Sequence, residues 1–509
     1  MGVQDLAVID VPFTSFTPDL PRLNNPGLVK AHNCTAGLGS IQGGVTLFPL
    51  KSASLYSNTS MDSRPLGSAI GQDATGNAKV YGACATKIYK LNPADRQWTD
   101  ISRVGGYSTT ASEKWKFVEY GSLQIGTNFN DEVQYIDMNV DTQFANLTTL
   151  VKGRHIATHK GFVILGNTWD ALDGGVPYRV RWSGIEAPSD WTFSAATMAD
   201  FQDLHGFGAI QGIVTDDSCY VILQRGIVQM SFVGGSFIFQ FTDRVVGKGC
   251  AVSESITTVE GKHYFLSDDG FYKLEQGNLT PIGIGKINDW FLDTADLSQA
   301  HLMTVAADPR KTLIYWQFVS KDAVTGTPDK QLIFNYVTGE WTTADATTAF
   351  LFNSVSLPWT IDQLDAFIAI DSVPASFDDP IWSGGKNMLW GMNATGAVYS
   401  FGGPTMELSV ETPEFQLARN IPNETGADIA IVNAVRPLFE GDGTARIQVG
   451  TRKLQNEDMS WSLLNECHAE TGFAYVRNRS RYQRFRINIS GDWKKAYSLQ
   501  IDAQPAGKR

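Results

Sequence analysis

Apolar, β-branched and aromatic positions come in short paired runs separated by polar turns, and the pairs recur along the chain. The segments Ala83–Tyr89, Ser122–Tyr135, Gly161–Trp182, Ser218–Phe232, Lys262–Tyr272, Thr312–Phe334 and Asn387–Phe401 each read as a β-hairpin whose second strand ends near an aromatic or large apolar residue. Anchored on Tyr89, Tyr135, Trp182, Met230, Tyr272, Phe334 and Tyr399, the spacings are 46, 47, 48, 42, 62 and 65 residues. A strand-built repeat of roughly 40–50 residues is the signature of a propeller blade. One such unit cannot bury its own apolar face, so the repeats must pack on one another around an axis. The turns Asn92-Pro93-Ala94-Asp95, Asn128-Phe129-Asn130-Asp131, Ser267-Asp268-Asp269-Gly270 and Val337-Thr338-Gly339 carry the Asn, Asp and Gly that hairpin turns need. Trp98, Trp191 and Trp341 follow such turns, where a tryptophan is expected to pack between blades.

These patterns predict an all-β chain: a β-propeller of six or seven blades over residues 61–403, an extended N-terminal arm over 1–60, and a C-terminal β-sandwich over 404–509. In the arm, Pro12, Pro18, Pro21 and Pro26 interrupt any ladder, since proline fixes φ and donates no hydrogen bond. An apolar strand at Gly44–Leu50 is a candidate to close a blade. Insertions lengthen the later blades at 321–329 and 359–379, and the second, long and acidic, is expected to be a contact surface. After residue 404, period-two alternation marks strands at Met406–Val410, Ile429–Pro437, Ala445–Val449, Gly472–Val476, Tyr482–Ile489 and Tyr497–Ile501.

Composition sharpens this picture. A chain of 509 residues exceeds one ordinary core, and 43% hydrophobic with 18% charged residues is globular. The net charge of −12 disfavours general affinity for nucleic acid, which needs cations to displace counterions from phosphates. The charge is uneven: residues 470–509 carry +6, leaving −18 for the rest. Within that basic end Arg477, Arg479, Arg481, Arg484 and Arg486 alternate. Period two would place them on one strand face, a candidate interface with an acidic neighbour.

Signals for chemistry are weak. The five cysteines are scattered without a CxxC pair and read as free thiols of a reducing compartment. Seven histidines are dispersed; His155 and His159 fall on one strand face, too far apart to clamp a metal. No GxSxG or HExxH motif occurs. Neither a secretory signal nor an apolar run of ~18 residues is present, so no membrane span is expected. Ser267-Asp268-Asp269-Gly270-Phe271-Tyr272 resembles the Asp-box turn of propeller glycosidases, which is itself a structural turn. No catalytic, cofactor-binding or metal-binding residue is assigned, no cofactor is expected, and the chain is expected not to be an enzyme.

Three stretches carry a resemblance. The first is Thr17-Pro18-Asp19-Leu20, then Leu23-Asn24-Asn25-Pro26-Gly27-Leu28 and Ala31-His32-Asn33. The second is Arg181-Trp182-Ser183-Gly184, then Pro188-Ser189-Asp190-Trp191 and Asp200-Phe201. The third is the arginine row with Tyr482, then Trp493, Ala496 and the Gly507-Lys508-Arg509 tail. With Gly261–Tyr272 between them, they resemble tail proteins of tailed bacteriophages, above all the tail nozzle of short-tailed phages, also described as a packaged-DNA stabilisation or tail tubular protein. The resemblance implies a virion protein assembled in the host cytoplasm as a homo-hexameric ring. That ring would continue the DNA channel from the portal and adaptor, contact tail fibre or spike proteins, and let double-stranded DNA pass transiently. An acidic wall suits such a conduit, because carboxylates repel phosphates. Two other readings stand beside it: a propeller that binds or cleaves host-surface polysaccharide, and a tail hub or tail-fibre attachment protein.

Overall fold

The computed structural model describes residues 7–23, 25–38, 44–235, 237–357, 385–420 and 428–507. Among these residues, seven four-stranded antiparallel units follow one another around an axis. Six are separate sheets; the seventh, blade 6, opens into a larger sheet. Blades 1 to 5 begin with the innermost strands Gly67–Gln72, Lys116–Tyr120, Val151–His159, Ile210–Thr215 and Thr257–Val259. Blade 6 runs from Thr304–Asp308 to Glu340–Asp345. Blade 7 comprises Phe350–Val355, Asn387–Met392 and Val398–Ser400, with Ser54–Leu55 as its outermost strand. The ring is therefore closed by a strand from the N-terminal region, which ties the first part of the chain to the last blade.

Every anchor of the repeat lies in the third strand of a blade, from Tyr89 in Ile88–Leu91 to Tyr399 in Val398–Ser400. The spacing of 62 arises because a helix, Asn288–Thr294, and a 3-10 stretch, Leu297–Leu302, join blades 5 and 6. The tryptophans sit at blade boundaries. Trp98 of blade 1 donates its Nε1–H to the Gly396 carbonyl of blade 7 at 2.9 Å, and Trp341 of blade 6 donates to Ile282 at 3.2 Å, just beyond blade 5. Trp191 packs with Ile125 and Val133 of blade 2 and Val163 and Leu165 of blade 3. The insertion predicted at 359–379 lies outside the described residues.

The C-terminal region corrects the sequence reading. Instead of two sheets stacked as a sandwich, one continuous sheet curls on itself. Two strands, Ala430–Arg452 and Tyr482–Pro505, pair antiparallel along almost their whole length. Straight, 23 residues would span roughly 75 Å. Yet Ala430 pairs with Ser480, whose Oγ donates to the carbonyl of Arg452, and Gln483 donates to the carbonyl of Ala430. The two ends of the strand thus meet. The bend falls where the sequence reads as turns: Gly441 lies opposite Trp493 and Gly443 opposite Gly491, with irregular pairing beside them. Gly441 has φ +101°, and a Cβ there would stand 2.6 Å from the Asp492 carbonyl, so glycine is required.

The arm is part of this sheet rather than a free extension. Ala7–Pro12 pairs with 498–503. Lys30–His32 pairs with Leu408–Glu411 on one side and bridges Thr343 of blade 6 on the other. The strand Val45–Pro49 pairs with Cys34–Leu38 and touches Ala496, so it does not close a blade; Ser54–Leu55 does that. One core holds Phe13, Phe16 and Leu28 of the arm, Phe271, Trp316 and Trp341 of the propeller, and Val432, Phe485, Ile487 and Leu499 of the curled sheet. Arm, propeller and sheet are packed as one piece.

Candidate functional site

Two places hold clustered charge: the C-terminal arginines and one mouth of the propeller's axial channel. The five arginines do not share a face. Arg477 and Arg479 lie on the edge strand Ala474–Ser480, exposed and alternating with inward residues, beside Tyr475. Arg481 follows the break between strands, 4.0 Å from Asp428. Arg484 is buried on the next strand, with its Nε 2.8 Å from Glu411 and 3.2 Å from the Thr412 carbonyl. Arg486 reaches the other oxygen of Glu411 at 3.2 Å, and its guanidinium stacks 3.6 Å over the Trp461 ring. The predicted alternation is broken at Ser480, where the chain leaves one strand and begins another on a different part of the sheet. Arg484 and Arg486 both answer the Glu411 carboxylate, which takes the buried Arg484 out of any outward docking row, while the Arg486 side chain stays partly exposed over Trp461. A second internal pair reinforces the region: Glu414, buried, receives Arg452 through Nε at 2.5 Å and Nη2 at 2.6 Å.

The axial channel, about 590 Å³, is lined by the innermost strands of all seven blades. Its wall is mainly neutral and polar, with Ser68, Gln124, Gln211, Thr257, Thr304 and Asn353 among the lining residues. Charge concentrates where the chain runs into these strands. Lys116 pairs with Glu254 at 2.8 Å, and Arg154 pairs with Glu113 at 2.8 Å. Lys114 is 6% exposed and stands 5.8 Å from the centre of the Phe350 ring, with no hydrogen bond or ion pair among the described residues. Burial pulls its ammonium down to about 8. Burial, then Lys114 and Arg64, hold the His301 imidazole below its usual range. His155, buried, shares a hydrogen bond through Nε2 with the Ile210 carbonyl at 3.1 Å, and burial pushes it down to about 3. The sequence offered one clue, the alternating Glu113-Lys114-Trp115-Lys116 leading into an innermost strand; the other members come from distant blades.

The Asp-box-like segment is a hairpin turn in blade 5, with Ser267 opposite Gly270. Lys248 holds Asp268 at 3.0 Å and Asp269 at 2.8 Å, and Tyr272 donates its hydroxyl to Asp269 at 3.0 Å. Its Phe271 points into the core. His155 and His159 share the strand Val151–His159, and no group of three or more His, Cys, Asp or Glu that could hold a metal occurs among the described residues. All five cysteines are free thiols, and no described helix is long and apolar enough to cross a membrane.

Three buried histidines and the half-buried His301 give the fold an acid sensitivity. His155, His159, His263 and His301 all have folded pKa values lowered chiefly by burial. The unfolded chain then binds more protons, so stability is full above about pH 6.5 and falls as pH drops toward the folded values. For His155 alone, moving to pH 5 should cost about 2 kcal/mol. Denaturant midpoints between pH 7.5 and 5 should fall for the native protein and fall less for His155→Gln; parallel curves would refute the assignment.

No protein-family model matches the chain, and no curated protein does. Solved structures similar to it include BamB from Moraxella catarrhalis, at 12% identity and a TM-score of 0.35 over 78% of this chain and 98% of that one. Another is the computationally designed Ika8 protein, at 13% identity and a TM-score of 0.36 over 69% and 99%. A third is an oligogalacturonate lyase from Vibrio parahaemolyticus, at 8% identity and a TM-score of 0.29 over 63% and 86%.

Proposed function

We propose that this chain is a structural subunit of a bacteriophage tail, a nozzle-type ring protein. It would continue the DNA channel below the portal and adaptor, hold the packaged genome and then release it, without catalysing a reaction. The observation that carries the reading is where the family-like segments lie. Thr17, Asn25 and Gly27 form a buried hydrogen-bonded loop in the arm, and Asp19 accepts from the backbone of Asp289 and Trp290 at the start of the helix between blades 5 and 6. His32 and Asn33 bind Thr343 and Asp345 of blade 6. Arg181 binds Asp170 and the Trp191 carbonyl within blade 3. These residues tie the arm to blade 6 and to the helix before it and brace blade 3, which suits a wall that must withstand internal pressure.

Electron microscopy of the purified protein or of the virion tests the proposal. A six-fold ring with a central pore is expected; a protein that stays monomeric at high concentration and is absent from particles would overturn it. Release of reducing sugar from host polysaccharide would favour the glycosidase alternative instead. The contact face is tested at Arg477 and Arg479, which remain exposed on the edge strand: Arg477→Glu with Arg479→Glu should leave the monomer folded and block ring formation. Normal rings from that variant would show the face to be merely solvated.

A further inference from the structure

We propose that the mouth of the axial channel binds a small tetrahedral oxyanion of the phosphate and sulfate class, held by Lys114 with Lys116 and Arg154 around it. The cavity there, about 320 Å³, is lined by Ser112, Lys114, Lys116, Arg154, Ser253 and His301, among others. It adjoins the channel, with which it shares Lys114, Lys116, His155 and Glu254.

The charge at this mouth is unbalanced. Glu113 and Glu254 are already engaged, each 2.8 Å from its own cation, Arg154 and Lys116. Lys114 is therefore left without a carboxylate in contact, although it is among the most buried charged side chains in the protein. Glu254 attracts it from a distance, while Arg64 and Lys116 repel it. The buried Nε of Arg154 also has no hydrogen-bond partner. The Lys114 side chain is buried along the cavity wall with no protein acceptor for its ammonium among the described residues, and holding a charge in so confined a space without a partner is costly. A bound oxyanion would supply the missing acceptors and reverse the local repulsion. The serines Ser112 and Ser253 and the imidazole of His301 border the same space and can donate to an oxygen. The cavity is small and is walled by residues of blades 2 to 4 and by the segments leading into blades 5 and 6, so it takes a small anion rather than a duplex. A neutral ligand would leave the excess positive charge unanswered.

The site lies within one chain, beside the axial channel, and is independent of any ring assembly. Its test is a titration of the purified full chain with inorganic phosphate at pH 7, with ionic strength held constant by sodium chloride. The wild type should bind in a saturable manner with one site per chain, and the His301 imidazole resonance should move downfield as a nearby anion favours its protonated form. Sulfate should compete. Lys114→Met, which keeps most of the apolar stem and removes the charge, should bind at least tenfold more weakly and lose the His301 shift. Lys116→Gln, a milder change nearer the channel, should weaken binding as well. Absence of a saturable His301 shift in the wild type would overturn the proposal outright. An unchanged affinity in a folded Lys114→Met protein would do so too, since general salting-out acts without a site.

Discussion

Replacing Glu411 by alanine should destabilise this protein by about 3–5 kcal/mol, because it strands a buried guanidinium. Glu411 is 7% exposed and Arg484 5%. The carboxylate is shared between Arg484 and Arg486 at 2.8 and 3.2 Å, and it sits on the strand Leu408–Glu411 that also pairs with the arm. Without it, Arg484 keeps only the Thr412 carbonyl as a polar partner of its Nε. The effect should be far from additive. Glu411→Ala combined with Arg484→Met removes both charges and should recover much of the loss, since a buried ion pair is worth little against an apolar replacement of similar size. Chemical denaturation of the two single variants and the double variant measures this. A loss below about 1 kcal/mol for Glu411→Ala, the range of exposed pairs, would show the pair to be solvated. It follows that reversing Arg484 to glutamate would place two carboxylates in one buried space. That change would test folding, not docking.

Phe271→Ala should cost about 3–5 kcal/mol, the range for truncating a fully buried aromatic residue. Its ring lies 4.9 Å from Phe291, 4.8 Å from Trp316 and 5.5 Å from Trp341, joining blade 5, the connecting helix and blade 6. The preceding Gly270 has φ +134°, and a Cβ there would fall 1.9 Å from the Asn288 side chain. Asn288 in turn accepts from the Phe271 amide and donates to the Asp269 carbonyl. The Asp-box-like turn is thus clamped from both sides by core contacts. Thermal unfolding of Phe271→Ala and of Phe271→Leu should separate cavity formation from loss of aromatic packing, with the leucine variant losing clearly less. Equal and small losses would mean that the junction between blades 5 and 6 repacks freely.

The repeat was legible because each blade is a local object. Its strands follow one another in sequence, and the anchors from Tyr89 to Tyr399 all fall in third strands because each hairpin and its aromatic residue are fixed by short-range turn chemistry. The tryptophans at blade boundaries were legible for the same reason. What the tertiary structure decided depends on residues far apart in the chain. The stretches around Gly441 and Gly491 carry turn chemistry, but each lies opposite the other in a paired ladder, so they bend the two strands instead of ending them. The arm looks unpaired because its partners are some 400 to 500 residues later, at 498–503 and Leu408–Glu411. The arginine row obeyed the period-two rule only as far as Ser480. A strand break that no local pattern announces then turned Arg484 inward to Glu411 and left Arg477 and Arg479 outside. Of the positive charge around Lys114 the chain shows only the local run Glu113-Lys114-Trp115-Lys116; Arg154, Glu254 and His301 join it only because closing the ring brings residues from other blades to one mouth.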